Sequence, residues 1–139
     1  MTVNSGNTNL SIEISTALED YLEAIYILSL KNPAVRITDV ANHLNISKPS
    51  ANRAVNSLKH QGFVTHEPYG DIFLTELGTS HAKLMHDRYI LLKSFFTNVL
   101  GTDEDEAERI SCMMEHSVSD DTLEKINKLV QECLSAKQL

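Results

Sequence analysis

Apolar residues first recur at helical spacing at Leu18, Tyr21, Leu22, Ile25, Tyr26 and Leu28. Ahead of them Thr16 and Glu19 stand as Thr-x-x-Glu, the sequence form of a capping box, which predicts a helix over residues 17–30. Asn32-Pro33 closes it, because a proline ring disfavours helical backbone at the residue before it. Thr38 is placed to cap a short second helix over 39–44, with Val40, Ala41 and Leu44 inward, and Asn45-Ile46 makes a tight turn. Ser47 then caps a third helix with Pro49 in its first turn, where a missing N–H removes no hydrogen bond. Ala51, Val55 and Leu58 form its buried stripe and Gly62 its stop. Two short runs of β type, 63–66 and 71–74, flank Glu67-Pro68-Tyr69-Gly70 as a hairpin. Beyond it, Thr75 caps a long helix over 76–100 ended by Gly101, Thr102 a helix over 103–116, and Ser119 a last one over 120–136.

Helix, helix, short turn, helix and hairpin, in that order, is the winged helix-turn-helix pattern. The expected fold is therefore mainly α: an N-terminal winged helix-turn-helix domain over 16–75 with a small β-hairpin wing, then an all-α domain over 76–139. A polar extension, 1–15, precedes them, with Leu10, Ile12 and Ile14 available to pack onto the first domain.

Composition narrows the class of function. The 139 residues contain no apolar stretch near the ~20 needed to span a membrane, and the N-terminus lacks a basic-then-apolar leader pattern. Two cysteines are too few for a disulfide scaffold, so a cytoplasmic location is expected. The formal charge of −7 is unevenly spread: residues 31–66 hold five bases and one acid, residues 101–139 ten acids and four bases. A basic segment in an acidic chain points to a polyanion, since cationic side chains release the counterions condensed on DNA. Within it, the third helix leaves Ser47, Lys48, Pro49, Ser50, Asn52, Arg53, Asn56 and Lys59 outside its core stripe as candidate DNA-binding residues. Lys48 and Lys59 suit phosphates, while Asn52, Arg53 and Asn56 suit base edges in the major groove. His66 and Tyr69 place further polar groups on the wing. A single winged helix holds DNA weakly, and Leu84, Ile90, Leu91, Leu92, Phe95, Phe96 and Leu100 exceed what one helix needs to cover a small domain, so a homodimer is expected.

Ligand-type residues recur at helical spacing. Asp20 and Glu23 stand at i and i+3 on the first helix; Cys112, Glu115 and His116 stand at i, i+3 and i+4 on the fifth. Carboxylates, an imidazole and a thiolate converging on one point would hold a divalent transition metal. No separate nucleophile or oxyanion motif accompanies them, so an enzyme is not expected.

Glu19-Asp20-Tyr21-Leu22-Glu23-Ala24-Ile25-Tyr26 and Glu115-His116-Ser117-Val118-Ser119-Asp120 resemble signatures of the diphtheria toxin repressor family, the metal-dependent transcriptional regulators that include the manganese transport regulators. Ile46-Ser47-Lys48-Pro49-Ser50-Ala51 and Leu74-Thr75-Glu76-Leu77-Gly78 match between them, and the resemblance spans about residues 17–134. It implies that Asp20, Glu23, Glu115 and His116 are metal ligands joining the DNA-binding domain to a metal-binding and dimerisation domain, with Cys112 where the iron branch also has cysteine. Tyr89 and Lys93 stand where relatives carry a histidine and a glutamate ligand; His86, one turn earlier, is a candidate replacement. The resemblance is to the short, two-domain branch. It implies a repressor of metal-ion homeostasis activated on its DNA operator by Mn(II) first and Fe(II) next, with Zn(II), Co(II) or Ni(II) as substitutes in vitro. The alternative is a winged-helix regulator that responds to a small molecule rather than a metal.

Overall fold

The computed structural model describes residues 14–137, so Leu10 and Ile12 lie outside the described residues, while Ile14 packs against the core. Among the described residues, six α-helices and one hairpin follow in chain order: α1 (Thr16–Lys31), α2 (Ile37–Leu44), α3 (Lys48–His60), β1 (Val64–His66), β2 (Ile72–Leu74), α4 (Glu76–Ser94), α5 (Glu104–Met114) and α6 (Asp120–Lys137). A π-helical turn, Phe95–Val99, extends α4.

α1, α2 and α3 close on one apolar centre built from Leu22, Ile25, Val40, Val55 and Leu58. The hairpin seals its edge: β1 and β2 pair antiparallel with Val64 opposite Leu74, and Phe63 and Ile72 are buried beneath. Ile72 N–H also donates to the Val35 carbonyl at 2.7 Å, which ties the wing to the α1–α2 link. α4 packs on α1 from one side and on α5 and α6 from the other. Met85 and Leu92 of α4, Ala107 of α5 and Leu123 and Val130 of α6 are buried outside the first apolar centre. Thus α4 physically joins the helix-turn-helix unit to the C-terminal helices.

Several boundaries differ from the sequence expectation, each for a local reason. Ser15, not Thr16, caps α1: its hydroxyl accepts from Leu18 N–H at 3.2 Å, which releases Glu19 for other partners. α2 begins at Ile37, because the Asp39 carboxylate reaches back to Arg36 N–H at 2.9 Å and leaves Thr38 inside the helix. The long helix leaves α geometry at Phe95, where Leu100 N–H bonds back to the Phe95 carbonyl. Thr97 favours this loosening by donating its hydroxyl to the Lys93 carbonyl at 2.9 Å. Asp103 replaces Thr102 ahead of α5, and α5 stops at Met114, so Glu115 and His116 lie on the turn after it. Ser119 behaves as expected, accepting from Thr122 N–H at 3.2 Å.

Candidate metal centre and nucleic-acid interface

Asp20 projects from α1, and Glu115 and His116 from the turn after α5. One ligand-type atom from each lies within 4.8 Å of the other two. His116 Nε2 is 2.8 Å from Asp20 Oδ1 and 3.3 Å from Glu115 Oε1. Glu115 is 1% exposed, and its Oε2 has no hydrogen-bond partner. A buried carboxylate oxygen without a donor is costly, and Glu23, Asp20 and Glu19 add their charges around the same carboxyl. Such surroundings favour the neutral acid. Burial first, then the hydrogen bond and charge of Glu23, push the Glu115 carboxyl well above the usual carboxylate range. Asp20 is also raised, chiefly by burial and against the pull of His116. Two carboxylates and an imidazole, one oxygen orphaned, are a donor set that a hard-to-borderline divalent cation fits.

The other sequence candidates surround this group. Glu23 is buried, its charge acts on Glu115, and its Oε1 lies 3.4 Å from His86 Nδ1. His86 therefore serves Glu23 and stands outside the three-residue group; its ring lies between Tyr26 and Tyr89, centroids 5.8 and 6.2 Å away. Cys112 is exposed on α5 but lines the same cavity of about 680 Å³ as Asp20, Glu23, Tyr89 and His116. Partial burial, then the charges of Glu115 and Glu23, push its thiol up to about 11. It carries a proton at neutral pH and would have to release it on ligation. Tyr89 is pushed to about 12, by burial first and Glu108 second, and remains a neutral phenol. Lys93 pairs with Glu104 at 3.4 Å, away from the cluster.

Sequence reasoning missed two residues. Glu19 and His81 pair at 3.0 Å between α1 and α4, and Glu19 Oε1 lies 3.5 Å from His116 Nδ1. The available signal was the first acid in Glu19-Asp20, which the capping pattern absorbed.

Separately, α3 and the wing bound a groove of about 980 Å³ lined by Lys48, Pro49, Asn52, Asn56, Lys59 and Arg36, with His66 and Tyr69 from the wing. Tyr69 sits at the hairpin tip, 98% exposed, with a positive φ of 60°. The hairpin is held to α3 by Lys59 Nζ, which donates to the His66 carbonyl at 2.7 Å, and to the start of α2 by Arg36 Nη2, which donates to the Tyr69 carbonyl at 3.3 Å. Ser47 is engaged locally, accepting from Ser50 N–H at 3.2 Å as the α3 cap. Ser50 accepts from Ser47 Oγ at 2.8 Å and from Arg53 Nη2 at 3.4 Å. Lys48, Asn52 and Asn56 keep exposed side chains along the groove.

Comparison with known proteins gives this arrangement its context. Residues 13–72 match the family described as "Iron dependent repressor, N-terminal DNA binding domain". Residues 75–135 match "Iron dependent repressor, metal binding and dimerisation domain". An HTH-type transcriptional regulator of Methanocaldococcus jannaschii is 35% identical over 120 residues, covering 86% of this chain and 96% of that protein. The HTH-type transcriptional regulator MntR of Listeria welshimeri is 30% identical over 115 residues, 83% of this chain and 80% of that protein. Among solved structures, the manganese regulator SloR superposes with a TM-score of 0.73 at 27% identity. A manganese-dependent transcriptional repressor complexed with manganese gives 0.72 at 29% identity. Each superposition covers 82% of this chain, which spans about half the length of either neighbour, 53% and 52%. Matched along both halves and similar over most of its length to MntR, the chain belongs to the diphtheria toxin repressor family of metal-dependent transcriptional regulators, in its manganese-regulator branch.

Proposed function

We propose that this chain is a homodimeric repressor of metal-ion homeostasis that binds its DNA operator when Mn(II), or next Fe(II), occupies the Asp20–Glu115–His116 group. The observation that carries this reading is the junction itself: Asp20, Glu115 and His116 brought within 4.8 Å of one another by the helix that opens the DNA-binding unit and the turn after α5, with Glu115 fully buried. When bound, a divalent cation supplies the positive charge that lets these carboxylates stand ionised side by side. Asp20 anchors α1 at the cluster, Glu115 and His116 anchor the α5 turn, and Glu23 and Cys112 complete the donor wall. Without that charge, burial and the neighbouring acids disfavour the ionised form of Glu115, and α1 is held less firmly to the C-terminal helices. A hundredfold preference of the cation for the clamped arrangement corresponds to about 2.7 kcal/mol, enough to switch operator occupancy.

The proposed division of labour is a DNA-binding domain over 16–75 and a metal-binding and dimerisation domain over 76–139. Leu84, Ile90 and Leu100 are 51%, 52% and 59% exposed and suit a dimer contact, whereas Leu92 is fully buried within the chain. On DNA, Ser47, Lys48, Pro49, Ser50, Asn52, Arg53, Asn56 and Lys59 form the proposed reading surface. Lys48 meets a phosphate and Asn52 and Asn56 face base edges; Lys59 steadies the wing through His66. Lys48→Ala is accordingly expected to weaken specific and random DNA alike and to lower the salt slope of binding by about one. Anisotropy titrations across ionic strength check this; loss confined to one sequence would count against it.

The experiment for the main reading is DNA-binding anisotropy on genomic fragments selected by the protein itself. It compares chelator, Mn(II), Fe(II) and Zn(II), for wild type and Asp20→Ala. Tight binding with one metal, lost in chelator and in the variant, is expected. Equal binding under every condition would leave a DNA-binding protein without a metal switch and return the small-molecule alternative.

A further inference from the structure

Glu19 is not needed as a cap, because Ser15 performs that role, yet its side chain is 8% exposed and packed between α4 and the α5 turn. A buried carboxylate requires donors; His81 is hydrogen-bonded to Glu19, and the second imidazole beside it belongs to His116, whose buried Nδ1 has no hydrogen-bond partner. His81 Nε2 lies 3.0 Å from Glu19 Oε2, and His116 Nδ1 lies 3.5 Å from Glu19 Oε1. On its far side the His116 ring turns Nε2 toward Asp20 and Glu115. The His116 side chain is only 5% exposed, so its orientation depends on what stands at each nitrogen. An imidazole that ligates through Nε2 must have lost the proton there and keep one on Nδ1, and a buried Nδ1–H needs an acceptor. Glu19 Oε1, 3.5 Å from this unpartnered nitrogen, is the carboxylate oxygen beside it, and a small shift of either side chain closes the hydrogen bond. His81 is itself steadied, its ring tilted 58° against Phe63 at a centroid distance of 5.6 Å.

We propose that Glu19, gripped by His81, is a positioning residue: it accepts the Nδ1–H of His116 and so presents Nε2 to the ligand group. The inference rests on reading that group as a metal centre. Its own content is that Glu19 acts through His116 and not as a ligand. His81 keeps the Glu19 carboxylate at Nδ1 by engaging its second oxygen, which would otherwise be free to swing toward the cation. Neither the first-helix acid pair nor the Glu-His pair after α5 contains this arrangement; it is created where α4 crosses α1.

The test uses the full chain as wild type, Glu19→Ala, Glu19→Gln and His81→Ala. Mn(II) affinity is followed by the loss of free-ion paramagnetic resonance, the ligand field by visible absorption with Co(II), and the fold by thermal unfolding in chelator. Glu19→Ala is expected to bind Mn(II) about 10- to 100-fold more weakly and to shift the Co(II) bands. Glu19→Gln, which keeps an acceptor oxygen without its charge, recovers part of the affinity, and His81→Ala loses less than Glu19→Ala. A melting point lowered in chelator with Mn(II) affinity and Co(II) bands unchanged would make Glu19 merely structural and overturn the proposal. Wild type that takes up neither metal would fell the metal-centre reading and this inference together. Wild type that binds while Glu19→Ala binds equally well would fell this inference alone.

Discussion

Glu115→Gln is expected to remove the metal response while leaving the metal-free protein at least as stable as wild type. Glu115 is the most deeply buried member of the cluster, and its carboxyl is raised far above the ordinary 4.5 by burial, Glu23 and Asp20. A raised folded-state value means that the native chain holds a proton the unfolded chain has already released. Above pH 4.5, then, the unfolded state binds fewer protons, and stability falls as pH rises toward the folded-state value. Asp20, also raised, contributes with the same sign. Glutamine occupies the same volume without a charge to bury, so the variant's melting curve in chelator should be flatter across neutral pH. Added Mn(II) should tell the opposite story in wild type. Cation binding needs the carboxylates ionised, so its stabilising shift grows as pH rises, reaching about 2.7 kcal/mol when free metal is a hundred times the dissociation constant. That shift should vanish in Glu115→Gln, along with the gain in operator affinity. Thermal unfolding in chelator and in Mn(II), from mildly acid to alkaline buffer, measures both effects. A wild-type Mn(II) shift in the variant would exclude Glu115 from the site.

How much of this was legible in the sequence depended on the range of the interaction involved. Ser47, Pro49 and Gly62 bound α3 through contacts within a few residues, and spacing alone placed that helix and the hairpin after it. Asp20 with Glu23, and Glu115 with His116, are neighbours along the chain, so each half of the cluster was visible. That the halves meet was implied by the family resemblance and not by the spacing, because the 2.8 Å approach of His116 to Asp20 joins residues 96 positions apart. The same range explains the misplaced Glu19. Thr-x-x-Glu is a sound local pattern, but Ser15 lies one residue upstream with an extended backbone and takes the cap. Two histidines distant in sequence then decide where Glu19 points. His86 shows the converse. Its position one turn before Tyr89 suggested a replacement ligand, yet packing between Tyr26 and Tyr89 directs Nδ1 to Glu23 instead. The π-helical turn likewise depends on the Thr97 hydroxyl competing for a carbonyl, which a periodicity of apolar residues does not encode.

Gly78→Ala is expected to be among the most destabilising single changes in the chain, although it adds one methyl group to the first turns of a helix. In an exposed helix alanine would gain about 1 kcal/mol over glycine. Here a Cβ at residue 78 would stand 1.9 Å from the Phe63 carbonyl oxygen and 2.9 Å from its carbon. The obstacle is backbone and cannot rotate aside. It is also fixed from both directions: Phe63 N–H bonds to the Leu58 carbonyl, and the Phe63 carbonyl accepts from Thr75 N–H at 3.0 Å. Thr75 adds a second link, donating its hydroxyl to the Gly62 carbonyl at 2.6 Å while accepting from Gly78 N–H at 3.1 Å. To admit the methyl, α4 must move off the end of α3. That would open the contact between the DNA-binding unit and the helix bearing His81 and His86. Overpacking of this kind costs about 3 kcal/mol or more where rigid backbone must shift. Urea unfolding in chelator should show the loss, and Mn(II) affinity should fall with it, since α4 carries the partners of Glu19 and Glu23. Gly101→Ala is the control. Nothing lies within 4 Å of an added Cβ there, and only its positive φ of 69° opposes the change, so a cost of about 1 kcal/mol with metal affinity intact is expected. If Gly78→Ala proved no worse than Gly101→Ala, the close approach of α4 to Phe63 would not be what holds the two halves of the molecule together.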